Sequence, residues 1–269
     1  MNSRAQSQSI VDAEALARTY SPPSYSDPTT LLDDYARVME YASKHPDHGR
    51  TRVGKAVELP PGRVRTWING GKPDAVHGVE TARESGWLDA TLHDPVGDAI
   101  AVLAAGIYTC GSIDTDQFVP AWSPSTVNTG QLMTHALDVV DTGYRRRHAG
   151  ESERPTEIIP ATDASVFGRV LVSLSVPQSD FTMVESLPSW VEQAPTSTRR
   201  TLALLWICER ATAHQDKATL VIQAKSRGIS YRRTVASLVR EIVDGTVNVT
   251  DQNIVISAAA ARTLRAAFR

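Results

Sequence analysis

An internal repeat in the last two thirds of the chain is the feature that most limits its fold. After residue 96, the apolar periodicity predicts helix, strand, helix, strand, strand and helix, and the same order returns after residue 188. We therefore expect an α+β protein with a pseudo-symmetric domain. Its two αβαββα halves would be residues 96–187 and residues 188–269.

The first half opens with a helix whose interior is made of small residues. Its last part reads LAAGIYTCGSI (103–113) and carries Ala105 and Gly106, although glycine costs a helix about 1 kcal/mol relative to alanine. The helix is expected to stop at Gly111-Ser112, with Cys110 just before. We therefore expect another backbone to pack closely against Ala105 and Gly106, or chemistry at the end of this helix.

A separate helical unit precedes the repeat. Residues 1–26 are polar and rich in serine, which predicts a flexible arm with at most one loose helix. Within residues 27–92, two short amphipathic helices flank a Leu-Pro break, and the second of them buries Val64 and Trp67. A short helix, a tight turn and another short helix predict a helix-turn-helix.

Positive charge is concentrated in this helical unit. The whole chain has a net charge of −2, but the segment from Lys44 to Lys72 holds seven basic and two acidic residues, a net charge of +5. Such segregation is typical of a nucleic-acid contact, with the solvated face of a helical bundle as the alternative. The residues expected to contact DNA here are Arg50, Arg52, Lys55, Arg63, Arg65 and Lys72. Arg63 and Arg65 can present guanidinium forks to guanine edges or phosphates.

The cysteines and the apolar content restrict the class of protein. Cys110 and Cys208 are the two cysteines of the chain, which excludes a disulfide scaffold and a cysteine-rich zinc module. We expect both to be reduced, and a redox disulfide between them is the alternative. The start of the chain has no long apolar core, and no stretch reaches the roughly 18 apolar residues of a membrane span. We therefore expect a cytoplasmic protein without a membrane partner.

The stretch LAAGIYTCGSI resembles the LAGLIDADG motif, often written LAGFFDGEGSI, over all eleven positions without a gap. In the second half, LPSWVEQAPTSTRRTLALLWICERA is similar to the Leu-Pro-x-Trp segment and motif helix of the same family. The resemblance covers about residues 97–268. It implies that two motif helices pack side by side, with Ala105 and Gly106 at their contact, and that each leads into a twisted sheet that straddles DNA.

The resemblance also bears on catalysis. In active LAGLIDADG endonucleases, the eighth motif position is Asp or Glu in both helices, and these carboxylates hold Mg²⁺. Cys110 and Arg210 stand there in this chain, and a thiol is a poor Mg²⁺ ligand while a guanidinium repels the ion. A one-residue shift would substitute Glu209, which leaves at most one carboxylate. Asp114 and Asp116 are interpreted as turn residues. We therefore expect no catalytic residue, no metal and no cofactor.

The sheets of the repeat are expected to make a second contact with DNA. In the family, the outward face of each sheet lies over the DNA, but here each half is predicted to lack one strand of its first hairpin. Alternation puts Arg145 and Arg147 on one face of their strand. The expected contact is a weak one to the phosphate backbone, by Arg145, Arg147, Lys225, Arg232 and Arg233.

The residues and the resemblance together predict a sequence-specific protein that binds double-stranded DNA without cutting it. We expect a nucleoid-associated transcriptional regulator, with a helix-turn-helix before a catalytically inactive LAGLIDADG-like domain. This layout is similar to bacterial sporulation regulators and to haloarchaeal proteins of the same domain family. The alternatives are an active LAGLIDADG homing endonuclease with altered metal-binding acids and a scaffold that has lost DNA binding. No small-molecule substrate is expected, and self-association stays open.

Overall fold

Helices and two small antiparallel sheets make up the computed structural model, which describes residues 9–21, 25–178, 184–213 and 217–267. The α+β class is therefore confirmed. The chain divides into two compact units. The smaller unit is Val11–Leu88, and the larger unit combines Met1–Ile10 with Asp89–Arg269. Among the described residues, no helix has both the length and the apolar character needed to cross a membrane.

The smaller unit is built from short helices. They are α1 (Ala13–Arg18), α2 (Pro28–Lys44), α3 (Arg50–Val57), α4 (Pro61–Ile68) and α5 (Asp74–Glu84). The carboxylate of Asp27 accepts the Thr29 N–H at the start of α2, as expected for an N-cap. Helix α1 lies in the stretch expected to be a flexible arm, but its Leu16 and Ala17 are fully buried. This apolar pair anchors α1 in the unit despite the polar composition around it.

The core of the smaller unit joins α3 and α4 to α2. Val53, Val64 and Trp67 are buried in one cluster, and the rings of Trp67 and Tyr35 pack in a T-shaped arrangement with centroids 5.5 Å apart. A Cβ on Gly54 would lie 2.7 Å from the Leu59 carbonyl oxygen, so α3 and the turn after it approach closely. Residues 58–60 therefore form a tight connection between the two helices.

The larger unit contains two halves of the same topology. The first half consists of α6 (Pro95–Cys110), β1 (Gly111–Ile113), β2 (Pro120–Trp122), α7 (Val127–Val139), β3 (Tyr144–Arg147), β4 (Glu157–Pro160) and α8 (Ala164–Ser173). The second half consists of α9 (Trp190–Gln193), α10 (Thr196–Arg210), β5 (Ala211–Ala213), β6 (Leu220–Gln223), α11 (Ile229–Arg240), β7 (Val247–Val249), β8 (Asn253–Ile256) and α12 (Ala258–Ala267). Their sheets have the orders β1-β2-β4-β3 and β5-β6-β8-β7.

Each half has the first hairpin complete, so the expectation of a missing strand and of αβαββα halves is wrong. Strand β1 pairs with β2, with Gly111 opposite Trp122, and β5 pairs with β6, with Ala211 opposite Ile222. Both first strands, GSI and ATA, are only three residues long, which is too short to show an alternating pattern. Pairing with the neighbouring strand, rather than local sequence, makes them strands.

Candidate nucleic-acid interface and helix-pair junction

The two long helices that open the halves of the larger unit, α6 and α10, pack against each other. Near their N-terminal ends, the Thr198 hydroxyl donates a hydrogen bond of 2.5 Å to the carboxylate of Asp98. Near their C-terminal ends, the rings of Tyr108 and Trp206 stack with centroids 6.5 Å apart. The helices are therefore in contact along most of their length.

The expectation that Gly106 lies at the contact between α6 and α10 is wrong. A Cβ on Gly106 would lie 2.7 Å from Nε1 of Trp122 and 2.8 Å from Sδ of Met133, both in the first half. Successive residues of an α-helix point about 100° apart, so Gly106 and Ala105 face different neighbours. Ala105 follows Asp98 by seven residues and shares its side of α6, the side that meets α10.

The ends of α6 and α10 occupy equivalent places in the two halves. Helix α6 ends at Cys110 immediately before β1, and α10 ends at Arg210 immediately before β5. The residues after them, Gly111 and Ala211, begin the two first strands in the same register. The sequence alignment that pairs Cys110 with Arg210 therefore agrees with the structural equivalence.

The groups at this junction do not fit a pair of Mg²⁺ ions. Burial, with a contribution from the Glu209 charge, raises the pKa of Cys110 to about 12, so its thiol stays protonated. One oxygen of Glu209 accepts the Ser125 N–H at 2.9 Å, and Arg210 is exposed with a fixed positive charge. Mg²⁺ requires several oxygen ligands, which this set does not supply. Within the described ranges, no group of three or more His, Cys, Asp or Glu residues could hold a metal.

Asp114 and the two cysteines lie near the ends of α6 and α10. Asp114 accepts the N–H groups of Asp116 and Gln117 with one carboxylate oxygen, which is a turn. Cys110 and Cys208 are both free thiols. Asp114 therefore stabilises the local backbone, and the two thiols are partly buried.

Helix α3 and helix α4 present the densest unpaired positive charge of the smaller unit. Arg65 is exposed on α4, and Gly62, Thr66 and Asn69 are exposed beside it at helical spacing. A Cβ on Gly62 would meet nothing within 4 Å, so this face is open. The exposed cations Arg50, Arg52, Lys55 and Arg65 form no ion pair with any described residue. Spacings of three and four residues link Arg65 to Gly62 and Asn69, and Thr66 to the same two residues, so the sequence could have indicated this face.

Arg63 points away from this face, which corrects the expectation that it stands beside Arg65. Two residues along an α-helix are separated by about 200°, so the two side chains diverge. Arg63 Nη1 donates to the Tyr25 hydroxyl at 2.9 Å, and its guanidinium lies 4.5 Å from the centre of the Tyr25 ring. Tyr25 in turn donates to the buried carboxylate of Asp34 at 2.8 Å, and burial together with Asp34 raises the pKa of Tyr25 to about 12. Arg63 thus belongs to a network that holds α4 to α2.

Lys72 forms an ion pair with Glu80, and that contact raises the pKa of Lys72. Its charge is therefore compensated within the smaller unit. The sequence did not indicate this ion pair, because Lys72 and Glu80 are not neighbours in the chain.

Some of the basic residues expected at the sheets are exposed, and others are bound by groups of the protein itself. Arg145 and Arg147 lie on β3, an edge strand whose residues are all exposed, but Arg147 Nε donates to Glu157 at 2.6 Å. Arg232 is 7% exposed, and its Nη1 donates to the carbonyl oxygens of Ala224 and Asp251. Arg232 is therefore a structural residue, contrary to expectation. Arg233 and Lys225 are exposed.

The outward face of the second sheet carries no charge on its strands. Ile222 and Ile254 are buried on one face, and directly paired residues share a face, so the opposite face belongs to their neighbours. The residues of that opposite face are Thr212, Val221, Gln223, Asn248, Asn253 and Val255. Any phosphate contact of this half would therefore come from residues beside the sheet, such as Lys225.

No protein-family model matches this chain, and no curated protein matches it.

Proposed function

We propose that this protein binds double-stranded DNA in a sequence-specific manner without cutting it, and acts as a transcriptional regulator. The observation that carries the proposal is the surface of α4. Val64 and Trp67 anchor one side of this helix in the core, while the other side exposes Arg65, Thr66 and Asn69 to solvent. In this proposal, α3 and α4 form a helix-turn-helix, and the exposed side of α4 enters the major groove.

The chemistry of the two helices suits the two kinds of DNA contact. An arginine can bind O6 and N7 of guanine with two hydrogen bonds, and an asparagine can do the same with adenine, so Arg65 and Asn69 are the base-reading candidates. Arg50, Arg52 and Lys55 would contact phosphates, which position the protein without selecting a sequence. An open Gly62 would allow the start of α4 to approach the groove closely.

For the larger unit, we propose a catalytically inactive LAGLIDADG-like domain. Support comes from the strand order shared by the two halves, from the contact between α6 and α10, and from the positions of Cys110 and Arg210 at the ends of these helices. A protonated thiol and a guanidinium at these positions argue against the two-metal chemistry of the endonuclease family. Arg210 would contact phosphate in place of a metal.

Fluorescence anisotropy with the full chain tests the DNA contact. The probe is a labelled mixed-sequence duplex of about 30 base pairs at low salt, followed by fragments selected from genomic DNA by immunoprecipitation. Arg65→Ala is expected to weaken binding to a selected fragment by about 1–3 kcal/mol, which is about 5- to 150-fold in Kd. Arg83→Ala is the matched control, because Arg83 is an exposed arginine on α5, outside the proposed interface. Equal affinities of the two variants would refute the role of α4.

The phosphate contacts have a separate signature. Replacing Arg50, Arg52 and Lys55 together with alanine should weaken binding to all sequences. The slope of log K against log salt should fall by about one for each phosphate that is no longer neutralised. An unchanged slope would remove α3 from the interface.

The endonuclease alternative keeps one observation in its favour, the Glu209 carboxylate beside the ends of the paired helices. Supercoiled plasmid incubated with the full chain and Mg²⁺ or Mn²⁺ should be shifted in a gel but remain uncut. Cys110→Asp alone should not create nuclease activity, because Arg210 still repels the metal. Cleavage by the unmodified chain that is abolished in Glu209→Gln would establish the endonuclease instead.

A further inference from the structure

Two stacked histidines occupy the connection between α2 and α3. The rings of His45 and His48 are 4.9 Å apart between centroids and nearly parallel, with an interplanar angle of 11°. The Tyr41 hydroxyl lies 3.2 Å from Nδ1 of His48, and the Tyr41 ring is 4.4 Å from that of His45. The imidazoles are therefore held in a defined arrangement at the surface.

This histidine pair lies next to the proposed DNA interface. Only Gly49 separates His48 from Arg50, the first residue of α3. His45 is exposed, and a Cβ on Gly49 would meet nothing within 4 Å, so the connection is open to solvent. A duplex that contacts Arg50 would bring its phosphates close to both imidazoles.

We propose that His45 and His48 form a proton-dependent phosphate contact, so that DNA binding is accompanied by proton uptake. This inference rests on the proposed function and adds a form of regulation to the same interface. Histidine is the side chain that ordinarily changes charge between about pH 5 and pH 8. A protonated imidazole donates charge-assisted hydrogen bonds to phosphate, whereas a neutral one contributes no charge.

Positive groups lie next to the pair in the free protein. Two imidazolium rings stacked on each other would repel, and the positive end of α3 and Arg50 add to that repulsion. Lys44 is paired with Glu40 on α2, so its charge is largely compensated, and Asp47 is the acidic group within the connection. Phosphates supply the missing negative charge when DNA binds.

The direction of the effect follows from linkage. DNA phosphates raise the pKa of an imidazole that they contact, so the complex binds more protons than the free protein. Affinity for DNA therefore increases as the pH falls. Between about pH 8 and pH 6 we expect Kd to decrease about 10-fold or more for the unmodified chain at constant ionic strength.

The experiment measures Kd by anisotropy for the full chain with the mixed-sequence duplex across this pH range. His45→Gln/His48→Gln should reduce the pH dependence to less than about 3-fold, while the control His77→Gln, an exposed histidine on α5, should keep it. Calorimetry of the unmodified chain in buffers of different ionisation enthalpy measures proton uptake directly and needs no variant.

The outcomes separate this inference from the proposed function. Binding that tightens at low pH, with proton uptake abolished in the double variant, would support the inference. Binding with the same Kd at both ends of the pH range, or with no proton uptake, would overturn the inference and leave DNA binding intact. Absence of binding at every pH would overturn both.

Discussion

Replacing Gly106 with alanine is expected to destabilise the larger unit, although alanine is the better helix former. The added Cβ would approach Trp122 Nε1 at 2.7 Å and Met133 Sδ at 2.8 Å, which is too close for either atom. Met133 is flexible and can move. The Trp122 indole is fully buried, and its Nε1 donates to the Leu103 carbonyl at 3.1 Å, so its displacement costs a buried hydrogen bond.

Gly130 provides the matched control for this substitution. It also lies within a helix of the first half, α7, but its Cβ would be 3.6 Å from Pro124 and 4.0 Å from Ile158, which are ordinary contacts. Both substitutions gain up to about 1 kcal/mol of helix propensity. Overpacking at Gly106 costs a further amount of about 1–3 kcal/mol. The free energy of unfolding of G106A should therefore lie about 1–3 kcal/mol below that of G130A.

Urea denaturation followed by circular dichroism measures these free energies, and double variants identify the neighbour of Gly106. Trp122→Phe makes room for the added methyl group, so it should couple with G106A by about 0.5–3 kcal/mol. Trp206→Phe, on α10, should combine with G106A additively, within about 0.5 kcal/mol. Coupling to Trp206 instead of Trp122, or equal stability of G106A and G130A, would refute the reasoning and return Gly106 to the helix pair.

Two further predictions concern titratable groups. Tyr25→Phe removes the hydroxyl between Arg63 and Asp34 and should cost about 1–3 kcal/mol. The pKa of Tyr25 in the folded chain is about 12, so the stabilisation from its neutral phenol is present at lower pH and is lost as the pH rises above about 10. Y25F should therefore weaken the fall in melting temperature at alkaline pH. Identical alkaline profiles of the two proteins would contradict this. In a C208S background at about pH 8, the folded chain should react with a thiol reagent at least about 100-fold more slowly than the urea-unfolded chain, because burial keeps Cys110 protonated. Equal labelling rates would show that Cys110 is accessible as thiolate.

Much of the architecture follows from local sequence patterns. Apolar periodicity predicted α4 and α6, because this signal acts within one or two helical turns. The repeated order of helices and strands predicted two similar halves and the α+β class. The excess of basic residues between Lys44 and Lys72 predicted where positive charge accumulates, and Val64 and Trp67 predicted the buried side of α4.

Contacts between distant residues decided the rest. Strands β1 and β5 exist because a partner strand pairs with them, and Gly106 is required by Trp122 rather than by the second helix. Arg63 is 38 residues from Tyr25 in the chain, yet that contact turns it away from Arg65. Buried Arg232 binds two carbonyl oxygens on neighbouring segments. Local sequence determines the apolar period and the charge of each segment. The direction and the partner of a side chain depend on which remote segment packs against it. Periodicity carries no information about that remote segment.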